Sequence, residues 1–201
     1  MWILYELLFC FGLLLYLPRA VWRKRLPHRG WAMRLGRYPS RVVEALRDRR
    51  PIWIHAVSVG EVMAVQPLLQ VLAQTVRDPL VLSTITPSGF EVASKQVGGR
   101  GVAIYFPLDL RLCVARALET LRPRLLLLVE SELWPTMIRL AHARGIPIAV
   151  INGRISPRTF RRYHWVRPWL GRLLNQIDLF LMQSPSDADR IIRLGAPSAK
   201  V

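Results

Sequence analysis

The chain has 201 residues, 52% of them apolar, and sets 29 lysines and arginines against 13 acidic residues for a formal charge of +16. That length holds one large domain with a real core, and the charge points to an anionic partner: phospholipid headgroups, a phosphorylated glycolipid or nucleic acid. Cys10 and Cys113 make no disulfide framework and fit a reducing compartment, and with no CxxC or HExxH spacing no structural metal is expected.

Residues 1–17 are apolar except Glu6. As a helix they span about 25 Å, slightly short of a ~30 Å hydrocarbon core. No positive charge precedes the run and no small-residue cleavage site follows it, so a signal peptide does not fit. Arg19, Arg23, Lys24, Arg25, Arg29, Arg34 and Arg37 come next. The positive-inside rule keeps them, and the rest of the chain, cytoplasmic. Residues 1–17 therefore read as a membrane-anchor helix, spanning or lying shallow in the inner leaflet, with Trp2, Tyr5, Tyr16 and Trp22 as an interfacial belt. Residues 18–50, interrupted by prolines and glycines, read as a basic juxtamembrane connector with one short helix near Arg41–Arg49.

From Pro51 strands and helices alternate, and 51–201 reads as one domain. The first strand, 52–57, ends in Ser58-Val59-Gly60 and feeds a helix over about 61–76, with Pro67 a candidate kink. Strands follow at 80–85, 102–106, 125–129, 148–151 and 179–182. Between them lie helices over about 89–97, over 110–121 with Asp109 as its cap, and one to about Arg144 that Ser131 caps, with Pro135 in its first turn. Arg158–Tyr163 reads as basic loop leading to a helix through about Asn175. Ser184 with Asp187 forms a capping box for a helix to Leu194, and Val201 begins another strand. The expected fold is α/β, a doubly wound, mostly parallel sheet of about six strands.

Four strand ends carry polar residues: Ser58-Val59-Gly60-Glu61, Thr86-Pro87-Ser88-Gly89, Glu130-Ser131-Glu132, and Asn152-Gly153-Arg154. In a parallel sheet all four project from one edge, where ligands collect. Carboxylates beside hydroxyls and an arginine suit a hydroxyl-rich ligand, and Glu61 is placed for acid–base work. Competing readings are plain. Glu61 also suits a helix N-terminus through the macrodipole, Ser, Thr, Gly and Asn are turn formers, and Trp134 is equally a core residue or a pocket wall. Glu130, directly after five aliphatic residues, is the least well explained by turn chemistry.

The stretches His55-Ala-Val-Ser-Val-Gly-Glu61, Thr86-Pro-Ser-Gly89, Glu130-Ser-Glu-Leu-Trp-Pro135 and Asn152-Gly-Arg-Ile-Ser156 resemble the 3-deoxy-D-manno-octulosonic acid (Kdo) transferases of lipopolysaccharide synthesis. The resemblance covers essentially the whole chain. It implies the N-terminal, Rossmann-like acceptor domain of a two-domain GT-B glycosyltransferase, anchored at the cytoplasmic face of the inner membrane. It implies inverting transfer of Kdo from CMP-Kdo to a lipid A precursor, with no metal or other cofactor. Glu61 would be the general base and Glu130 a stabiliser of the transition state. Ser58, Gly60, Thr86, Ser88, Gly89, Glu132, Trp134, Asn152 and Arg154 would bind the acceptor. Family members are about twice as long, so the donor-binding C-terminal domain is expected to be absent here and this half inactive alone. Partners expected are anionic inner-membrane lipids, whose headgroups Arg19 to Arg37 would meet, and the lipid A precursor, whose phosphates Arg154, Arg158, Arg161 and Arg162 would meet, and not nucleic acid. Two other readings stand beside this one: a different membrane-associated GT-B glycosyltransferase, against which the single Gly60 in the first loop counts, and a non-catalytic module that binds anionic lipid.

Overall fold

The computed structural model describes residues 2–22, 30–130 and 132–201. Arg23, Lys24, Arg25 and Arg29 of the connector, and Ser131, lie outside the described residues.

Six parallel strands form one sheet in the order β3-β2-β1-β4-β5-β6: β1 Ile52–His55, β2 Leu80–Thr84, β3 Gly101–Tyr105, β4 Leu125–Val129, β5 Ile148–Gly153 and β6 Leu179–Met182. Parallel strands need crossovers, and these are supplied by helices on both faces. The side chains of the inner strands therefore enter two different cores. Trp53, Val81, Ile104, Leu126, Leu128 and Val150 pack into one core. Ile52, Ile54, Leu80, Leu82, Leu127 and Val129 pack into the other. This explains the unbroken apolar runs of the inner strands: alternation fails there because neither face meets water, whereas the edge strand β6 exposes Leu179 and Leu181. Full burial of each such side chain contributes about 1.5–3 kcal/mol.

The crossover after β1 is two helices, α4 (Val59–Ala64) and α5 (Gln66–Thr75), broken at Val65. Pro67 occupies the first turn of α5, where its missing N–H costs nothing, so the expected kink is a full break. Helix α6 (Pro87–Val97) lies between β2 and β3, and α7 (Arg111–Leu121) between β3 and β4. Helix α8 (Pro135–His142) follows β4, α9 (Pro157–His164) and α10 (Arg167–Leu174) follow β5, and α11 (Pro185–Arg193) follows β6. Val201 begins no strand; Ser198–Lys200 is a turn of 3₁₀-helix before it.

Three local expectations are corrected. Arg158–Tyr163 is not loop but most of α9, started by Pro157 and capped by Ser156 Oγ, which accepts from Thr159 N–H at 3.1 Å. The connector is folded over 30–50: α2 (Trp31–Arg34) and α3 (Ser40–Ala45) deliver Met33, Val42 and Leu46 to the core. Arg34, expected to face headgroups, instead donates to the Ile85 carbonyl and sits 5.1 Å from the centre of the Tyr105 ring. Asp109 does not cap its own helix: the N-cap position of α7 is Leu110, with no side-chain cap. Its buried carboxylate caps α8, accepting from Thr136 N–H at 2.9 Å and Met137 N–H at 2.8 Å.

Helix α1 (Trp2–Trp22) carries Pro18 inside it. Among the described residues no helix is long and apolar enough to cross a membrane, so of the two anchor forms expected the spanning one finds no support. One side of α1 rests on the domain. Tyr5 Oη donates to Asp109 Oδ2 at 2.9 Å, the Tyr5 ring lies 6.3 Å from that of Trp169, and Glu6 lies 3.8 Å from Arg139. Tyr5 thus points into the body and not into an interfacial belt. The other side presents Ile3 (74% exposed), Leu4, Leu7, Leu8, Phe11, Leu14 and Leu15 outward.

Burial lifts the Asp109 carboxyl to about 6, against the pull of its three hydrogen bonds. The folded protein therefore holds this proton more tightly than the unfolded chain does. The stabilisation from that proton is complete below about pH 4 and is lost as pH rises through about 6. Asp109→Asn, which keeps an acceptor but no titration, is expected to flatten the decline in urea-unfolding stability between pH 4 and 7. Asp109→Ala is expected to lower stability by about 1–3 kcal/mol at pH 5 through the orphaned α8 N–H groups.

Candidate active site

The two halves of the sheet run outward from β1 and β4, which are neighbours, in opposite directions. The crevice at their carboxyl ends is the topological switch point of a doubly wound sheet. Glu61 lies just past β1, and Glu130 and Glu132 lie just past β4.

Glu61 is the third residue of α4, and the turn before it explains its pose. Ser58 Oγ accepts from Glu61 N–H at 3.4 Å, while Ser58 Oγ and Val57 N–H donate to Glu61 Oε1 and Oε2 at 3.0 and 2.8 Å. This is a capping box shifted by one residue. Glu61 is 9% exposed. Desolvation raises its pKa above the ordinary carboxylate range; the hydrogen bonds from Val57 and Ser58 oppose this, and the charge of Glu130 adds to it. The helix N-terminus that would favour the anion is outweighed by burial.

Glu132 is half-buried, and its carboxyl is pushed up to about 7, first by desolvation, then by the charges of Glu61 and Glu130, with the Trp134 side chain opposing. Glu130 is half-exposed and has φ +58, and Asn152 at the end of β5 has φ +53. Two non-glycine residues in the left-handed region at adjacent strand ends are local strain of the kind that collects at functional sites. The backbone at Glu130 is pinned by its N–H, which donates to the Ile151 carbonyl at 2.9 Å.

The remaining sequence-derived residues divide. Gly60 is exposed in the first turn of α4. Thr86 is committed to structure, its Oγ accepting from Gly89 N–H at 3.0 Å as the cap of α6. Gly89 is a packing requirement: a Cβ there would lie 2.4 Å from Thr84 Oγ1. Ser88 is exposed in the first turn of α6. Asn152 is exposed, with its carbonyl accepting from Gln183 at 3.1 Å. Arg154 is exposed and its charge acts on Asp187, which also accepts from Ile155 N–H at 2.9 Å. The structure thus gathers Ser58, Glu61, Glu130, Glu132 and Trp134, and gives Thr86 and Gly89 mainly structural work.

His55, Asp109 and Tyr163 were not singled out as site residues. His55 is fully buried at the end of β1, stacked on Phe106 at 3.7 Å and edge-on to Trp134 at 6.0 Å. Its Nδ1 lies 3.0 Å from Ser83 Oγ and 3.2 Å from the Ser83 carbonyl. Burial pushes its pKa down to about 3, so the ring is neutral and acts as a seat for Trp134. A polar residue closing an apolar strand was the available signal. Asp109 fixes the α8 end of the Glu130–Trp134 loop. The Tyr163 ring is near enough to Glu132 to feel its charge.

The sequence profile described as 3-Deoxy-D-manno-octulosonic-acid transferase (kdotransferase) matches residues 29–201. The chain belongs to this family. A 3-deoxy-D-manno-octulosonic acid transferase of Haemophilus influenzae is 33% identical over 196 residues, covering 97% of this chain and 44% of that protein. One of Bordetella pertussis is 34% identical over 168 residues, covering 81% and 39%. A bifunctional glycosyltransferase/methyltransferase of Fusobacterium nucleatum is 38% identical over 158 residues, covering 78% and 25%. The chain thus spans less than half the length of these relatives. A UDP-GlcNAc 2-epimerase of Neisseria meningitidis, solved with UDP-GlcNAc, shares the fold with a TM-score of 0.53 at 14% identity, covering 75% of this chain and 45% of that one.

Removing one charge from the cluster should relax its neighbours. In Glu61→Gln the Glu132 midpoint is expected to fall below about 7 yet stay above the ordinary carboxylate range, because desolvation persists. Carbon-detected NMR titration of labelled glutamate side chains measures it.

Proposed function

We propose that this chain is the acceptor-binding half of a Kdo transferase that moves Kdo from CMP-Kdo to a lipid A precursor in lipopolysaccharide synthesis. The observation that carries the reading is the meeting of Glu61, Glu130 and Glu132 at the switch point, with Glu61 and Glu132 shifted toward neutral pH. In this reading an acceptor hydroxyl attacks the anomeric carbon of Kdo as CMP departs with the bonding electron pair. Glu61 takes the hydroxyl proton, and its raised pKa makes it a better base near neutrality. The anionic form of Glu130 stabilises the cationic character that develops on the sugar. Inversion follows from a single displacement.

The reading assigns no metal and no other cofactor, and places the donor on a second domain of a GT-B enzyme. It places the outward apolar face of α1 shallowly in the cytoplasmic leaflet of the inner membrane, with Arg158, Arg161 and Arg162 of α9 toward anionic headgroups. Each basic residue near such a surface contributes about 1 kcal/mol. The family membership, the exposed leucines of α1 and the adjacent basic helix support it.

The test is Glu61→Ala in a complete two-domain protein. Transfer from CMP-Kdo is expected to fall by at least ~10²-fold, while binding of the lipid A precursor stays within a few-fold. Near-normal turnover would remove Glu61 as the base.

A further inference from the structure

A cavity of about 370 Å³ opens between α1, the loop after β4 and the α9–α10 junction. Tyr5, Glu132, Trp134, Tyr163, Val166 and Trp169 are among the residues that line it. We propose that this cavity takes an acyl chain of the lipid acceptor, so that helix α1 is a wall of the substrate site and not only a means of attachment. The proposal rests on the lipid-acceptor reading above.

Three observations converge. Its walls are largely aromatic and aliphatic, which suits hydrocarbon. Glu132 belongs at once to this wall and to the carboxylate cluster, so a head group held at the cluster has the cavity beside it. Exposed apolar side chains adjoin the cavity. Val166 is half exposed and its neighbour Trp165 is 89% exposed, while the helix that supplies Tyr5 turns its opposite face of leucines outward. An apolar hollow joined to exposed apolar surface on one side and to carboxylates on the other matches a molecule with hydrocarbon attached to a sugar. A free sugar leaves the hollow unused, and a plain phospholipid presents no sugar ring to the carboxylate cluster.

Tyr5 is the piece that binds the helix into this arrangement. Its hydroxyl is held by Asp109 and its ring tilts against Trp169. The wall is therefore built before ligand arrives, and the cost of ordering is already met in the fold.

Two ligands separate the possibilities: a bisphosphorylated disaccharide carrying acyl chains, and the same disaccharide deacylated. Both are titrated in detergent solution into the 201-residue chain and into Val166→Trp, which narrows the mouth at an exposed position. Each methylene kept from water is worth roughly fourfold in affinity, so occlusion of a few is expected to weaken the acylated ligand at least tenfold and leave the deacylated one unchanged. Independently of any variant, an acylated ligand with a diazirine at the chain end is expected to label Tyr5, Tyr163 or Trp169. Labelling confined to Ile3, Leu7 and Phe11 on the outer face of α1, equal weakening of both ligands, or equal cavity labelling by a diazirine phosphatidylglycerol would overturn the proposal. Binding of the deacylated disaccharide without cavity labelling removes the proposal alone. Failure of both ligands to bind the parent chain removes the lipid-acceptor reading and the proposal with it.

Discussion

A buried carboxylate costs several kcal/mol unless donors replace its water, and Asp109 is fully buried. Its donors come from two separate places: the first turn of α8 and the phenol of Tyr5 in α1. One side chain therefore ties the end of β3, the helix after β4 and the N-terminal helix into a single joint. The loop from Glu130 to Trp134 is held between two fixed ends, β4 on one side and the Asp109-capped helix on the other. Its aromatic member is seated on His55 and Phe106. The positions of the second and third carboxylates follow from this joint as much as from the sheet.

The sheet supplies the rest. Because the crossovers leave β1 and β4 in opposite directions, a crevice forms between their carboxyl ends, the place where ligands collect in such sheets. The same geometry brings like charges together in partial burial, which is why Glu61 and Glu132 hold their protons to higher pH than exposed carboxylates. Left-handed backbone at Glu130 and Asn152 marks where strand ends are bent out of regular geometry to make that rim.

Much of this could be read from residues alone. The apolar runs placed all six strands to within two residues, because burial on both faces leaves a continuous signal. Pro67 marked the helix break, and Ser58 and Glu61 marked the turn at the rim. What escaped was nonlocal or was masked by composition. Asp109 sits where a cap for α7 is expected, and only the folded chain shows its acceptors turned to α8. Four charged or polar residues between Arg158 and Arg162 resemble loop, although Ser156 and Pro157 are a helix start. Met33, Val42 and Leu46 were lost among the basic residues of 18–50, yet three buried side chains suffice to bind that segment to the core. Thr86 and Gly89 carry structural work that the sequence did not signal: Thr86 caps α6, and Gly89 packs closely against Thr84 of β2.

The docking of α1 also has a consequence for synthesis. Tyr5, Glu6 and their neighbours leave the ribosome well before their counterparts Asp109, Arg139 and Trp169. At roughly 5–20 residues per second the leading helix waits on the order of ten seconds for the surface it will rest on. Throughout that interval the side of α1 that bears Tyr5 and Glu6 lacks its counterparts, and the leucine face opposite stands open to any apolar surface the nascent chain meets.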